Sequence, residues 1–215
     1  MYVNMTDITH HTPDALLAAY AAGTLPQPFA LVVAAHISLC LKCRAAFEAH
    51  QAIGGIVLEG FDAVEISPDL KTNVLSLLDA PDQESDVYAR TGVYPGPVMQ
   101  ALKGKPPRWR RLGGGVKQNI LSADESGSVR LLYIPPGQAV PDHTHGGLEL
   151  TLVLQGSFSD ETGRFDVGDL EVADEDLDHT PIADYGAPCI CLAATDAPLK
   201  FNSVLPRVLQ PLFRI

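Results

Sequence analysis

The amino-acid sequence predicts an α+β protein of two domains, and three observations carry that reading. The first half is rich in helix formers with start and stop signals. The second half consists of short apolar and β-branched runs cut by Gly and Pro. A Pro- and Gly-rich stretch separates them. With 215 residues the chain is long enough for a substantial core and for one or two domains. The expected boundaries are 1–80 for a small helical bundle, 81–107 for a linker and 108–215 for an all-β sandwich or barrel.

In order along the chain, Thr12 reads as an N-cap, Pro13 as a first helical residue and Gly23 as a stop around Asp-Ala-Leu-Leu-Ala-Ala-Tyr-Ala-Ala. Pro28 to Ile53 is too long and apolar for a single ordinary helix, so two helices are expected, ended by Gly54 and Gly55. Ser67 and Pro68 open a further amphipathic helix running to Asp79, with Leu70, Val74 and Leu77 along one face. That face either packs within the bundle or lies in the groove of a partner. Pro81, Pro95, Pro97, Pro106 and Pro107, with Gly92, Gly96 and Gly104, mark the linker. Val129–Ile134, Leu148–Gln155, Ile190–Thr195 and Phe201–Leu205 read as strands.

The formal net charge is −11 and the sequence pI about 4.9, which argues against a nucleic-acid binder and favours a basic protein partner. Basic residues between Lys103 and Arg111, and seven acids between Asp166 and Asp178, read as solvated surface. No run approaches the ~18 apolar residues of a membrane span. Met1 to Asp14 lacks the pattern of a signal peptide, and four cysteines make no disulfide scaffold, so a cytoplasmic protein is expected.

Two constellations carry chemistry. In His36-Ile-Ser-Leu-Cys40-Leu-Lys-Cys43, one imidazole and two thiols fall on one helical face or around a helix end. That soft nitrogen-and-sulfur set suits zinc, with a fourth ligand from His10, His11 or His50. Core packing and redox chemistry are the competing uses of the cysteines. The second constellation places Gly137, five residues, His143-Thr-His145, three residues, Glu149, six residues and Gly156 in order, with Gly168-Asp169 and His179 downstream. On a strand, His143 and His145 share a face, and Glu149 and His179 can complete a metal shell.

Gly137–Gly156 matches the first motif of the cupin family, although the spacer from Gly168-Asp169 to His179 is longer than a typical second motif. The whole chain resembles the ChrR-type zinc-binding anti-sigma factors of proteobacteria. The resemblance rests on His10 to Gly23, on His36-x3-Cys40-x2-Cys43 and on Leu112 to Val116. Gly147 to Gly156, Cys189 to Pro198 and the terminal Phe213-Arg-Ile215 extend it. It implies a zinc ion at His11, His36, Cys40 and Cys43 in an N-terminal domain that clamps an extracytoplasmic-function sigma factor. It further implies a cupin barrel with a second zinc at His143, His145, Glu149 and His179, and release of the sigma factor in response to singlet oxygen.

Four protein ligands close a zinc shell, so both sites would be structural or sensory. With iron, manganese or nickel the cupin ligands leave open positions, and a cupin metalloenzyme of dioxygenase or isomerase class is the alternative. Cys189 and Cys191 point to one face of a strand, either as core residues or as oxidant targets beside the metal, and Trp109 is a further oxidant target. The expected protein is a stoichiometric regulator that binds neither nucleic acid nor membrane.

Overall fold

The computed structural model describes residues 8–79, 87–140, 143–144, 146–174, 177–197 and 200–201. The helices are α1 (Asp14–Ala21), α2 (Gln27–Leu39), α3 (Leu41–Glu59), α4 (Leu70–Ser76) with a 3-10 turn at Leu77–Asp79, and α5 (Gly96–Ala101). The strands are β1 (Arg110–Gly113), β2 (Val116–Asp124), β3 (Gly127–Ile134), β4 (His143–Thr144), β5 (Glu149–Gln155) and β6 (Phe158–Ser159). They continue with β7 (Arg164–Phe165), β8 (Leu170–Ala173), β9 (Asp178–His179), β10 (Ile182–Ala183), β11 (Cys189–Thr195) and β12 (Lys200–Phe201).

Helix starts and stops differ from expectation in instructive ways. Pro13, not Thr12, occupies the cap of α1, because its fixed φ of −54° turns the chain into the helix. Gly23, at φ +70°, ends α1, and Thr24 N–H reaches back to the Ala19 carbonyl. The two expected helices separate at Cys40, which is extended (φ −102°, ψ 109°), and their axes bend by 117° there. Gly54 and Gly55 do not stop α3, which continues to Glu59 and ends at Gly60. Glycine weakens a helix interior by only about 1 kcal/mol, which the flanking Ala, Gln, Ile, Val and Leu residues outweigh. Ser67 and Pro68 fall in a turn before α4, whose cap is Asp69. The stretch expected as a linker includes α5, which packs against α2 and buries Val98 and Met99.

The main sheet has six antiparallel strands in the order β1-β2-β3-β11-β5-β8. Two three-stranded sheets accompany it, β10-β6-β7 and β12-β4-β9. Among the described residues these sheets are not joined into one closed barrel. The central strands are buried on both faces, which is why β5 and β11 read as nearly unbroken apolar runs. Side chains alternate between two cores. Leu150, Leu152, Leu154, Ile190, Leu192 and Ala194 face Phe29, Val32 and Val33 of α2. Val153, Cys189 and Cys191 face Phe158, Phe165 and Ala183 of the smaller sheet. The helices and the sheet thus share one continuous core. Gly156, the last residue of the histidine-bearing motif, has φ +70°, and a Cβ there would sit 2.8 Å from the Pro188 carbonyl. Only glycine fits that turn beside β11. Phe201 lies in β12, and the remainder of the expected Phe201–Leu205 strand lies outside the described residues.

Among the described residues no single helix is long and apolar enough to cross a membrane.

Candidate metal centre

The break at Cys40 builds the first cluster. His36 stands in the last turn of α2, Cys40 occupies the break and Cys43 lies in the first turn of α3. The segment before α1 brings His11 to them. One ligand atom from each of the four residues lies within 4.8 Å of all the others. His11 Nδ1 is 3.4 Å from Cys40 Sγ. This is close to the ~3.6 Å edge of a tetrahedron built with ordinary zinc–nitrogen and zinc–sulfur lengths. His36 is fully buried, and neither ring nitrogen makes a well-aligned hydrogen bond, the Gly168 backbone being the polar group beside the ring. An imidazole buried in that state calls for a further partner, a place that a metal ion can fill. The residues therefore fit zinc. The other candidates for fourth ligand are occupied: His50 pairs with Asp14 at 2.8 Å, and His10 lies over Phe165 and beside Asp169.

Electrostatics agree with ligation. Burial pushes His36 down to about 4, against the opposing effect of the Gly168 backbone, so the imidazole is neutral at pH 7. Burial and Lys42 lower His11 as well. Burial raises the Cys43 thiol to about 11, while Thr12, whose backbone and hydroxyl lie beside it, acts in the other direction. Thr12 thus serves the cluster and not the helix cap. Metal binding here requires Cys43 to give up a proton.

The second cluster lies within the β half. Asp160 Oδ2 is 2.7 Å and Glu171 Oε1 3.1 Å from His179 Nδ1, and all three side chains are buried. Burial raises Glu171, and the neighbouring Asp160 adds to it. Burial alone would lower His179, but the two carboxylates outweigh it and raise the imidazole. Asp160 stays well below the usual carboxylate range. Burial opposes this, and hydrogen bonds from Glu171, Thr162 and His179 overcome it. Three ligand-bearing residues meet here, but Nδ1 of His179 is already satisfied by carboxylates.

The expected cupin set is only partly in view. The β4–β9 register places His143 opposite His179 in the backbone. The His143 side chain and all of His145 lie outside the described residues. Glu149 opens β5 and accepts a hydrogen bond from Thr151 at 3.0 Å, and the buried Arg130 of β3 lies within its electrostatic reach. Cys189 and Cys191 do share a face: their sulfurs are 3.3 Å apart, unbridged and buried. The contact with the Cys189 sulfur and then burial raise the Cys191 thiol, and Glu171 and Glu149 reinforce this.

Leu70, Val74 and Leu77 do not pack within a bundle; they are 41%, 51% and 70% exposed. Every residue from 51 to 78 is exposed, including Ile56, Leu58, Phe61 and Ile66. Sequence reasoning missed Asp160 and Glu171 and misread part of the acidic run: Asp169 and Glu171 are buried, at 2% and 5% exposure, and not solvated. Their alternation with Gly168, Leu170 and Val172 in a β-rich stretch was the available signal.

Comparison with known proteins places these features in context. The profile of the family described as the ChrR cupin-like domain matches residues 100–197. The anti-sigma-E factor ChrR of Cereibacter sphaeroides is 53% identical over 97% of this chain and 99% of its own length. A crystal structure of Rhodobacter sphaeroides SigE in complex with the anti-sigma ChrR is also similar. It matches with a TM-score of 0.79 and 51% identity, over 88% of this chain and 99% of that one. An RmlC-like cupin from Ralstonia eutropha matches at 21% identity and a TM-score of 0.42, covering 45% of this chain and 67% of its own. The family match over residues 100–197, together with the likeness to the ChrR structure, gives the β half the cupin fold.

Proposed function

The chain belongs to the ChrR family of anti-sigma factors, and on that footing we propose that it holds an extracytoplasmic-function sigma factor in an inactive complex. A regulator of this kind works by stoichiometric binding and not by turnover. The reading as a cupin metalloenzyme therefore falls away, since the relatives are anti-sigma factors and one is seen with its sigma factor.

The observation that carries the reading is the exposed apolar stretch from Gln51 to Leu78. Monomeric proteins rarely leave so many large apolar residues in water unless a partner covers them. Leu70 and Val74 of α4 and Leu77 of the turn after it, with Ile53, Ile56 and Val57 of α3, are positioned to lie against the sigma factor. The acids Glu59, Asp62, Glu65 and Asp69 alternate with them and favour a basic partner face, which governs approach and choice of partner more than affinity.

In this reading His11, His36, Cys40 and Cys43 hold zinc, which when bound supplies a closed tetrahedral shell with no place for water. The chain's own contribution is to hold three segments at one corner. The extended Cys40 turns α3 away from α2 and the sheet, so its C-terminal half projects into solvent. Residues 1–80 would form the clamp, 81–107 the connection and 108–215 the sensor.

A second zinc, at His143, His145, Glu149 and His179, belongs to the same proposal. The pairing of His143 with His179 and the placement of Glu149 at the start of β5 support it. Release in response to singlet oxygen would act on the histidines of that site or on the adjacent thiols of Cys189 and Cys191. The protein would work in the cytoplasm, where its partner meets core RNA polymerase.

The test is capture of a sigma factor by the purified full-length chain at equimolar ratio. Recovery of the sigma factor by the wild type, reduced by Leu70→Asp/Val74→Asp with zinc content unchanged, supports the reading. Equal recovery by both proteins removes α4 from the interface.

A further inference from the structure

We propose that the segment Gly168–Glu171 is a positioning element that ties the His/Cys cluster to the His179 cluster, with Asp169 as its anchor. The inference rests on reading His11, His36, Cys40 and Cys43 as a metal site.

Asp169 sits in the turn before β8 and is 2% exposed. Its Oδ1 accepts the backbone N–H of Thr9 at 2.7 Å and of His10 at 2.8 Å. Its Oδ2 accepts the Asp166 N–H at 2.9 Å and lies 3.4 Å from His10 Nδ1. The neighbouring Leu170 N–H donates to the His10 carbonyl at 3.2 Å. The peptide groups on both sides of His10 are therefore fixed by the β half, and the next residue is His11. Bonds from backbone N–H groups to a buried carboxylate are short, charge-assisted and directional. They act on the backbone that presents a metal ligand, as outer partners of metal sites commonly do.

Gly168 adds steric contact. At φ +96° it approaches Ile8 so closely that a Cβ would fall 2.6 Å from Ile8 Cδ1. Its backbone also lies beside His36, so the segment touches the neighbourhood of two of the four ligands. The segment is itself held: Gly168 N–H donates to Val153 O at 2.9 Å, and Val153 N–H donates to Asp169 O at 3.1 Å.

At its other end Glu171 lies 3.1 Å from His179 Nδ1 and pairs with Thr151 across β5. Four consecutive residues thus contact both clusters. Any rearrangement of His179 that moves Glu171 acts on the backbone of Thr9 and His10 through two intervening residues. The coupling is measurable directly.

The full-length chain is loaded with cobalt(II), whose visible and charge-transfer bands report a two-thiolate site, and the rate of cobalt loss to a chelator is followed. Asp169→Ala and Asp169→Asn should start with the two-thiolate spectrum and lose cobalt about 10- to 100-fold faster than the wild type. Glu171→Gln should also speed the loss, and should add nothing in the Asp169→Ala background. Wild-type rates in both Asp169 variants, or independent multiplication of the Asp169→Ala and Glu171→Gln effects, would overturn the proposal. Hydrogen exchange on Glu171→Gln covers the case in which Asp169→Ala does not fold. Faster exchange at the Thr9 and His10 amides is expected, and unchanged protection sinks the link. A wild-type chain that shows no thiolate bands with cobalt fails the metal reading instead, and the exchange measurement then decides the link on its own.

Discussion

The two buried clusters look alike in outline and differ in what they lack. Both gather histidine with anionic or potentially anionic ligands within 4.8 Å. In the first, His36 has two buried ring nitrogens with no well-aligned hydrogen bond, and Cys43 carries a thiol that burial holds protonated. In the second, His179 Nδ1 is hydrogen-bonded with Asp160 and stands 3.1 Å from Glu171, whose Oε1 is the one acceptor left without a hydrogen bond. An unsatisfied set of soft donors asks for a metal, whereas a carboxylate–imidazole network partly answers its own demands. In metal sites a histidine gripped at one nitrogen by carboxylates is commonly one that is oriented for use at the other. The second cluster therefore reads as the support of the cupin site more than as its ligand shell.

The largest effect expected from breaking this contrast is at the first cluster. Cys40→Ala should abolish zinc binding at that site, and Glu171→Gln should leave its stoichiometry intact; metal analysis of the purified chains distinguishes them. Loss of a structural zinc removes folding energy directly, so the Cys40→Ala helices should also lose far-ultraviolet circular dichroism.

A comparably large effect on stability is expected where the helices meet the sheet. Phe29 of α2 is 2% exposed and packs in the core shared with β3, β5 and β11. Phe29→Ala should cost about 3–5 kcal/mol in urea unfolding. A cost below ~1 kcal/mol would mean that α2 and the sheet do not share a core in solution.

The pH dependence follows from His36. Its folded value of about 4 lies below the ordinary 6.5, so between those values the unfolded chain binds the proton that the folded chain refuses. Metal-free stability should fall as pH drops through that window, by at most about 3 kcal/mol, and zinc affinity should fall with it. His36→Gln should flatten the metal-free profile; an unchanged profile would assign the titration elsewhere.

Smaller again is the effect expected at the sulfur pair. Cys189→Ala/Cys191→Ala removes little volume from the second core and should cost no more than about 2 kcal/mol. Its value is in sharpening the sensing half of the account. If singlet oxygen frees the partner from the wild type and equally from this variant, the two thiols are not the target.

Much of the first cluster was legible because it is local. His36, Cys40 and Cys43 are close in sequence, and length alone predicts two helices there, although not that they part at Cys40. Residue spacing leaves His10, His11 and His50 open as the fourth ligand and the family resemblance implies His11; the contact of His10 with Asp169 agrees with that choice. β3, β5 and β11 were legible as apolar runs, but β2 was not, because Val-Lys-Gln-Asn-Ile-Leu-Ser-Ala-Asp mixes burial with polarity. The burial of Asp169 and Glu171 was hidden inside an acidic run, where composition points outward and topology points inward. α5 was hidden for a similar reason: Pro and Gly at its start look like a linker until Val98 and Met99 are seen against α2.

The most direct test of the central claim pairs two quantities in one titration: zinc bound per chain and sigma factor bound per chain, for the wild type and Cys40→Ala. The account expects the wild type to bind both and the variant to lose zinc at the His/Cys cluster together with the sigma factor. A Cys40→Ala chain that has lost that zinc and still binds the sigma factor with wild-type affinity would contradict it.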